Sequence, residues 1–229
     1  MTAAISLVEG TALSKSFMRR DGSCITLFRD FSVCIDAGEM VGLMGPSGQG
    51  KSTLGNILLG ITRPDKGRIM WNGSDIAHMP KAEKAELRPR FQKIQQDPGA
   101  SFPPRCTLRN LFGDFFRWGR HPFLPNREGW DRALSEGMER ASLDEKLLDR
   151  FPCQLSGGEL QRFAILRAML FSPLFLVADE PTSRLDTSVQ AKVARMLESE
   201  VKEKGTAILF ISHDRALLEA LCTRIVTLI

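Results

Sequence analysis

Nine consecutive residues, Gly45-Pro46-Ser47-Gly48-Gln49-Gly50-Lys51-Ser52-Thr53, have the types and spacing of a phosphate cradle, G-x-x-x-x-G-K-[ST]. Glycines at 45, 48 and 50 let successive backbone N–H groups turn inward with no Cβ in the way, which makes an anion nest at the start of a helix. Lys51 has the reach for β- and γ-phosphates, and the Ser52 hydroxyl suits the near-octahedral oxygen shell of Mg2+. A second pair of groups, Asp179 and Glu180, closes the apolar run Leu174-Phe175-Leu176-Val177-Ala178. Asp179 suits the same Mg2+ shell, through water, and Glu180 can polarise an attacking water as general base. Together the two segments describe transfer of a phosphoryl group to water.

These side chains need a scaffold that brings residues 45–53 to residues 179–180. Residues 40–44 read as a buried strand entering the cradle, and residues 52–60 have the apolar spacing of a helix leaving it. Residues 174–179 read as a central parallel strand buried on both faces, whose carboxyl end is where such sheets hold ligands. Beyond it come a helix over 187–203 ended by Gly205, a strand at 206–211, a helix at 214–222 and a strand at 223–228. The alternation specifies an α/β fold with a parallel sheet and helices on both faces. Residues 5–44 read as strands around a turn at Gly22, and a strand at 67–71 runs into a turn at Asn72-Gly73. From Pro98 to Pro152 the pattern changes to Pro-punctuated, amphipathic segments such as 130–148, with no run resembling a buried strand.

Composition narrows the class. With 229 residues and 43% hydrophobic content the chain can bury the core of one α/β unit. No apolar stretch approaches the ~18–20 residues that span a bilayer, and Met1-Thr2-Ala3-Ala4-Ile5 does not read as a secretory signal. A cytoplasmic location is expected. Cys24, Cys34, Cys106, Cys153 and Cys222 are odd in number and form no C-x-x-C pair, which points to reduced thiols rather than disulfides or zinc. The net charge of +4 is spread without basic blocks, as on a solvated surface, and nucleic acid is not an expected partner.

Leu155-Ser156-Gly157-Gly158-Glu159-Leu160-Gln161-Arg162 resembles the signature sequence of ATP-binding cassette (ABC) ATPases, usually L-S-G-G-Q. The resemblance implies a P-loop NTPase fold in a single domain over residues 1–229, with an antiparallel layer beside the nucleotide. The nucleotide-binding core would take residues 1–96 and 160–229, and an inserted helical subdomain residues 97–159. It also implies a Mg2+-dependent ATPase working as a head-to-tail homo- or heterodimer, in which Ser156, Gly157 and Gly158 cap the ATP held by the other copy. Those groups stand at a helix start, a second anion site. Glu159 in place of Gln is a departure, and a carboxylate beside a triphosphate is expected to face away or to pair with Arg162.

Four further segments match in the family's order. Gln96 lies in a segment resembling the Q-loop, whose Gln touches Mg2+ or the attacking water. Ser183-Arg184-Leu185-Asp186 resembles the D-loop, with Arg184 a second departure and Asp186 on the nucleotide side. His213 resembles the switch histidine that binds the γ-phosphate, a role given to neither His78 nor His121. Phe17 stands where the family stacks an aromatic ring on adenine, in a chain with no Tyr. The segment Gln96-Asp97-Pro98-Gly99-Ala100-Ser101-Phe102-Pro103-Pro104-Arg105 further resembles ATPases of dipeptide, oligopeptide and nickel importers, with Phe102-Pro103 replacing Leu-Asn. Such ATPases continue past the strand at which this sequence stops, Ile229. They sit on the cytoplasmic face of the membrane, bound to transmembrane permease subunits and served by a substrate-binding protein.

The contact with the permease is expected around residues 96–118. Some of Phe102, Leu108, Leu111, Phe112, Phe115, Phe116 and Trp118 should be exposed there to receive a short helix, Phe102 among them. Two other readings remain at this point: an ABC ATPase powering a soluble complex such as phosphonate breakdown, and an ATP-sensing partner protein without turnover.

Overall fold

The structure, a computed structural model, describes residues 6–19, 21–118, 126–183 and 185–228. Its first strands pair locally. β1 (Val8–Met18) and β2 (Cys24–Ile35) are antiparallel neighbours joined through the left-handed Gly22. β3 (Met40–Met44) and α1 (Lys51–Leu58) follow, and β4 (Lys66–Trp71) then returns to β1. β5 (Ser74–Asp75) folds back on β4 across Asn72 and Gly73, both at positive φ as this tight hairpin turn requires. The order of this antiparallel sheet is β2-β1-β4-β5.

A second sheet is parallel throughout. After α2 (Lys81–Leu87) and β6 (Phe91–Ile94) the chain leaves the sheet for α3 (Leu108–Trp118), α4 (Arg127–Arg140) and α5 (Gly157–Leu170). It re-enters as β7 (Phe175–Asp179) and finishes α6 (Thr187–Lys204), β8 (Ala207–Ile211), α7 (Arg215–Leu221), β9 (Arg224–Thr227). The strand order is β6-β7-β8-β3-β9. β7 and β8 are buried at every position, as central strands covered on both faces must be. Trp71 ties the two sheets together: it is fully buried, stacks on Phe91 with centroids 4.0 Å apart, and donates its indole N–H to the Leu58 carbonyl at 2.9 Å.

α5 is buried around most of its circumference because two clusters meet on it. Ile165, Ala168 and Met169 join the core beneath the parallel sheet, and Phe163, Ala164 and Leu166 join one built by α3 and α4. That second cluster corrects the docking expectation: Phe102, Leu108, Leu111 and Phe112 are at most 6% exposed, and Phe115 and Phe116 are half-buried. An insertion with no sheet to lean on must bury its own aromatics, and Phe112 packs edge-on against Phe115 and tilted against Phe163. The Trp118 side chain and His121 lie outside the described residues. The expected amphipathic stretch 130–148 is also divided, since α4 stops at Arg140, Ser142 turns left-handed (φ 51), and a 3-10 turn over Glu145–Asp149 is capped by Asp144. β6 was not legible as a strand: its inner residues, Gln92 and Lys93, are polar, which an edge position tolerates.

Truncating Phe112 removes the centre of the α3–α4–α5 cluster, so Phe112→Ala should lower unfolding free energy by about 3–5 kcal/mol. Denaturant titration checks this, and an unchanged midpoint would mean that the cluster does not carry the fold.

Candidate active site

β3 delivers the chain into the cradle at Gly45, which has φ 152 and where a Cβ would stand 2.7 Å from the Leu228 carbonyl oxygen. The cradle ends on left-handed Gly50, and α1 begins with no side-chain cap; its first backbone bond runs from Leu54 N–H to the Gly50 carbonyl at 2.7 Å. The first-turn N–H groups of Lys51, Ser52 and Thr53 therefore precede the helical ladder and suit an anion. α1 lies so close to β7 that a Cβ on Gly55 would be 2.7 Å from Val177 Cγ1. This approach sets Ser52 against the end of β7, where its hydroxyl donates to Asp179 Oδ1 at 3.0 Å. The other Asp179 oxygen accepts from Lys93 Nζ at 3.0 Å, and Lys93 also donates to Asn56 Oδ1 at 3.0 Å. Lys51 folds onto its own loop, donating to the carbonyls of Gly45 (2.7 Å) and Pro46 (2.9 Å).

Glu180 follows in the left-handed region, φ 51, which a non-glycine residue holds only when its surroundings fix it. Its N–H donates to the Ile211 carbonyl at 2.9 Å, and its carbonyl accepts the Ser183 hydroxyl at 2.9 Å and N–H at 3.1 Å. The side chain thereby leaves the strand and meets His213, whose Nδ1 lies 3.0 and 2.9 Å from the two carboxylate oxygens. The imidazole is 76% exposed and the carboxylate side chain 13%, so the acid is sheltered and the histidine can swing away.

One cleft of about 420 Å3 collects Phe17, Ser47, Gly48, Gly50, Lys51, Ser52, Thr53, Gln96, Asp179 and Glu180. Gly45 and Pro46 reach it through Lys51, and His213 through Glu180. Gln49 belongs to the same loop, and its buried Oε1 has no partner. Phe17 offers a ring that is half exposed, with Lys15 Nζ 5.3 Å from its centroid.

Ser156, Gly157, Gly158 and Asp186 do not line this cleft. Ser156 caps α5 and is bound reciprocally by Glu159: Glu159 N–H donates to Ser156 Oγ at 3.2 Å, while Glu159 Oε2 accepts from both Ser156 N–H and Oγ at 2.8 Å. The backbone N–H of Ser156 is the main reason the Glu159 carboxyl is held below its usual range. The expected choice for Glu159 is thus resolved locally, in a cap rather than an ion pair with Arg162. Asp186 caps α6, accepting from Val189 N–H at 3.0 Å and the Ser188 hydroxyl at 2.6 Å. Arg184 lies outside the described residues. His78 Nδ1 lies 3.1 Å from the half-buried Asp75 carboxylate, away from the cleft.

The ABC transporter family pattern matches residues 28–183 of the chain. This chain belongs to the ABC transporter family. A Brucella ovis protein named for peptide import and ATP binding is 37% identical over 224 residues, 97% of this chain and 69% of that one. The nickel import ATP-binding protein NikE of Shigella boydii is 38% identical over 202 residues, 88% and 74% of the two chains. Among solved structures, an ATP-binding cassette dimer in a post-hydrolysis state with ADP and Pi superposes with a TM-score of 0.84 at 26% identity, covering 96% of this chain and 94% of its own. The parallel sheet, the separate antiparallel sheet and the helices between them are those of an ABC ATPase.

The donor set fits Mg2+. Ser52 and Asp179 present hard oxygens in contact, the donor type that Mg2+ takes, with the rest of its shell left to phosphate and water. The residue that sequence reasoning missed is Lys93. A lysine inside a four-residue strand is its only signal, and the contact with Asp179 is visible only when β6 lies beside β7.

Lys93→Met should strip Asp179 of its ammonium partner. Binding of a fluorescent ATP analogue in excess EDTA should weaken about tenfold, roughly 1.4 kcal/mol, while binding with Mg2+ stays level or tightens. Equal losses with and without Mg2+ would show that Lys93 acts on folding and not on the charge balance of the site.

Proposed function

We propose that this chain is the ATP-hydrolysing subunit of an ABC importer for peptides or nickel complexes, working as a head-to-tail dimer on transmembrane permease subunits at the cytoplasmic face. One observation carries the catalytic part: the cradle, Asp179 and the Glu180–His213 pair converge on a single cleft, whereas Ser156–Gly158 stands outside it on an exposed helix start. A Cβ on Gly157 would meet nothing within 4 Å, so nothing in its own subunit requires glycine there. Close approach of a partner's phosphate would. The relatives named for import favour transport over a soluble machine, and the sheltered Glu180 beside His213 favours turnover over sensing. Among the described residues no helix is long and apolar enough to cross a membrane, as suits a subunit that docks on permeases.

In this reading Lys51 leaves the Gly45 and Pro46 carbonyls for the β- and γ-phosphates, and Phe17 stacks on adenine. Ser52 and Asp179, with Gln96 alongside, would hold Mg2+, which supplies charge neutralisation on the phosphates when bound. Glu180 takes a proton from the attacking water as its oxygen bonds to the γ-phosphorus and the bond to the bridging oxygen breaks, giving ADP and phosphate. His213 releases Glu180 and turns to the γ-phosphate. Residues 97–159 act as the helical subdomain that carries Ser156, Gly157 and Gly158 to the partner's nucleotide, with Asp186 on the same dimer seam. ATP closes the dimer and product release reopens it, which moves the permeases.

Glu180→Gln should bind MgATP with near wild-type affinity, lose turnover and accumulate a closed dimer on size exclusion, because the amide keeps the shape but accepts no proton. Wild-type rates in this variant would remove Glu180 as the base. Ser156→Arg should leave ATP binding to the monomer intact and abolish hydrolysis, by bulk and charge at the partner's γ-phosphate. Loss of monomer binding as severe as in Lys51→Ala would refute the capping role in trans.

A further inference from the structure

Lys15 and Phe17 lie two residues apart near the end of β1, and the Lys15 ammonium stands over the Phe17 ring, 5.3 Å from its centroid. The Lys15 side chain is only 14% exposed, against 48% for Phe17, so a sheltered cation backs a ring whose remaining surface is open. Asp65, just ahead of β4, anchors that cation: Lys15 Nζ donates to Oδ1 at 2.7 Å, while Oδ2 accepts from Ser16 N–H at 2.7 Å.

The fold has no evident need of a lysine there. Asp65 N–H donates to the Ser14 carbonyl at 2.9 Å, so with the Ser16 bond two backbone groups already fasten β1 to the start of β4. An aliphatic side chain would fill the same half-buried place, and an ion pair with a carboxylate as open as Asp65 adds little stability. What the lysine adds is charge against a ring. That ring is also fixed relative to the phosphate cradle. On β2, Leu27 is left between the pairs Lys15–Phe28 and Ser16–Thr26, a bulge that re-aims its side chain. Leu27 lines the nucleotide cleft with Phe17 and packs so closely on the cradle that a Cβ on Gly50 would stand 2.9 Å from its own Cβ.

We propose, resting on the assignment of Phe17 to adenine, that Lys15 is a positioning residue for the nucleobase, anchored by Asp65 and acting through the Phe17 ring. A cation on an aromatic ring draws π-density toward itself, which lowers the repulsion between that ring and an electron-rich purine stacked on it. The same contact holds a half-exposed ring in place, so less side-chain freedom is lost when the base arrives. Both effects reach the base alone and leave the phosphates to Lys51 and the cradle.

Calorimetric titration of the full chain with MgATP and with magnesium tripolyphosphate, which keeps the phosphate chain and lacks the base, tests this role. Lys15→Met should weaken ATP about fivefold and leave tripolyphosphate within about twofold. Lys15→Arg, which keeps a cation over the ring, should restore ATP binding. In a Phe17→Leu background Lys15→Met should cost nothing further, because no ring remains to polarise or hold. Equal losses for ATP and tripolyphosphate would show that Lys15 attracts anions at large or acts on folding, and a full loss retained in the Phe17→Leu background would show that it acts without the ring. Either result overturns the proposal. Should Phe17→Leu alone leave ATP binding unchanged, the adenine assignment itself fails; should it weaken ATP while Lys15→Met does not, only the role of Lys15 fails.

Discussion

The carboxylate of Asp179 is buried at the end of β7, and two donors from different elements keep it there: Ser52 from the first turn of α1 and Lys93 from β6. A buried charge without such partners would cost several kcal/mol, so α1, β6 and β7 are locked in register by the need to satisfy it. Gly55 makes the arrangement possible, since any side chain there would push α1 off Val177 and carry Ser52 away. The cradle, the strand end and the edge strand are in this sense one unit.

Without nucleotide, this site satisfies itself. Lys51 donates to two loop carbonyls, and the two oxygens of Glu180 are held by His213. Each contact presents charge that a triphosphate and a water can take over, so binding exchanges one set of charge-assisted hydrogen bonds for another. The left-handed backbone of Glu180 belongs to the same design: it turns the carboxylate out of the strand line toward His213, and the bonds to Ile211 and Ser183 hold it.

The signature segment obeys a different constraint. Ser156 and Glu159 form a capping box that satisfies the start of α5 within one subunit, and the carboxylate is turned onto Ser156 instead of outward. Glutamate is as good a capping partner as glutamine. The departure from the usual motif therefore keeps the local fold and adds a negative charge, which the cap bonds directly offset.

Much of this molecule was determined by sequence alone. The cradle, the Asp179-Glu180 pair, the strands at β3, β7 and β8 and the close of α6 at Gly205 follow from periodicity and residue type, because buried strands and helix ends impose short-range patterns. Pairing across the sheet was decided only by the tertiary structure. Lys93 gains its partner because β6 lies beside β7, and a polar edge strand leaves no apolar run to read. The aromatics between residues 102 and 116 look like a docking surface in sequence, yet Phe102, Phe112 and Trp130 close on α5, since whether an aromatic face is covered depends on which helix lands on it. Glu200 is the plainest case: on a charged helix it reads as a surface residue, and only the meeting of α4, α5 and α6 buries it with one oxygen unpartnered.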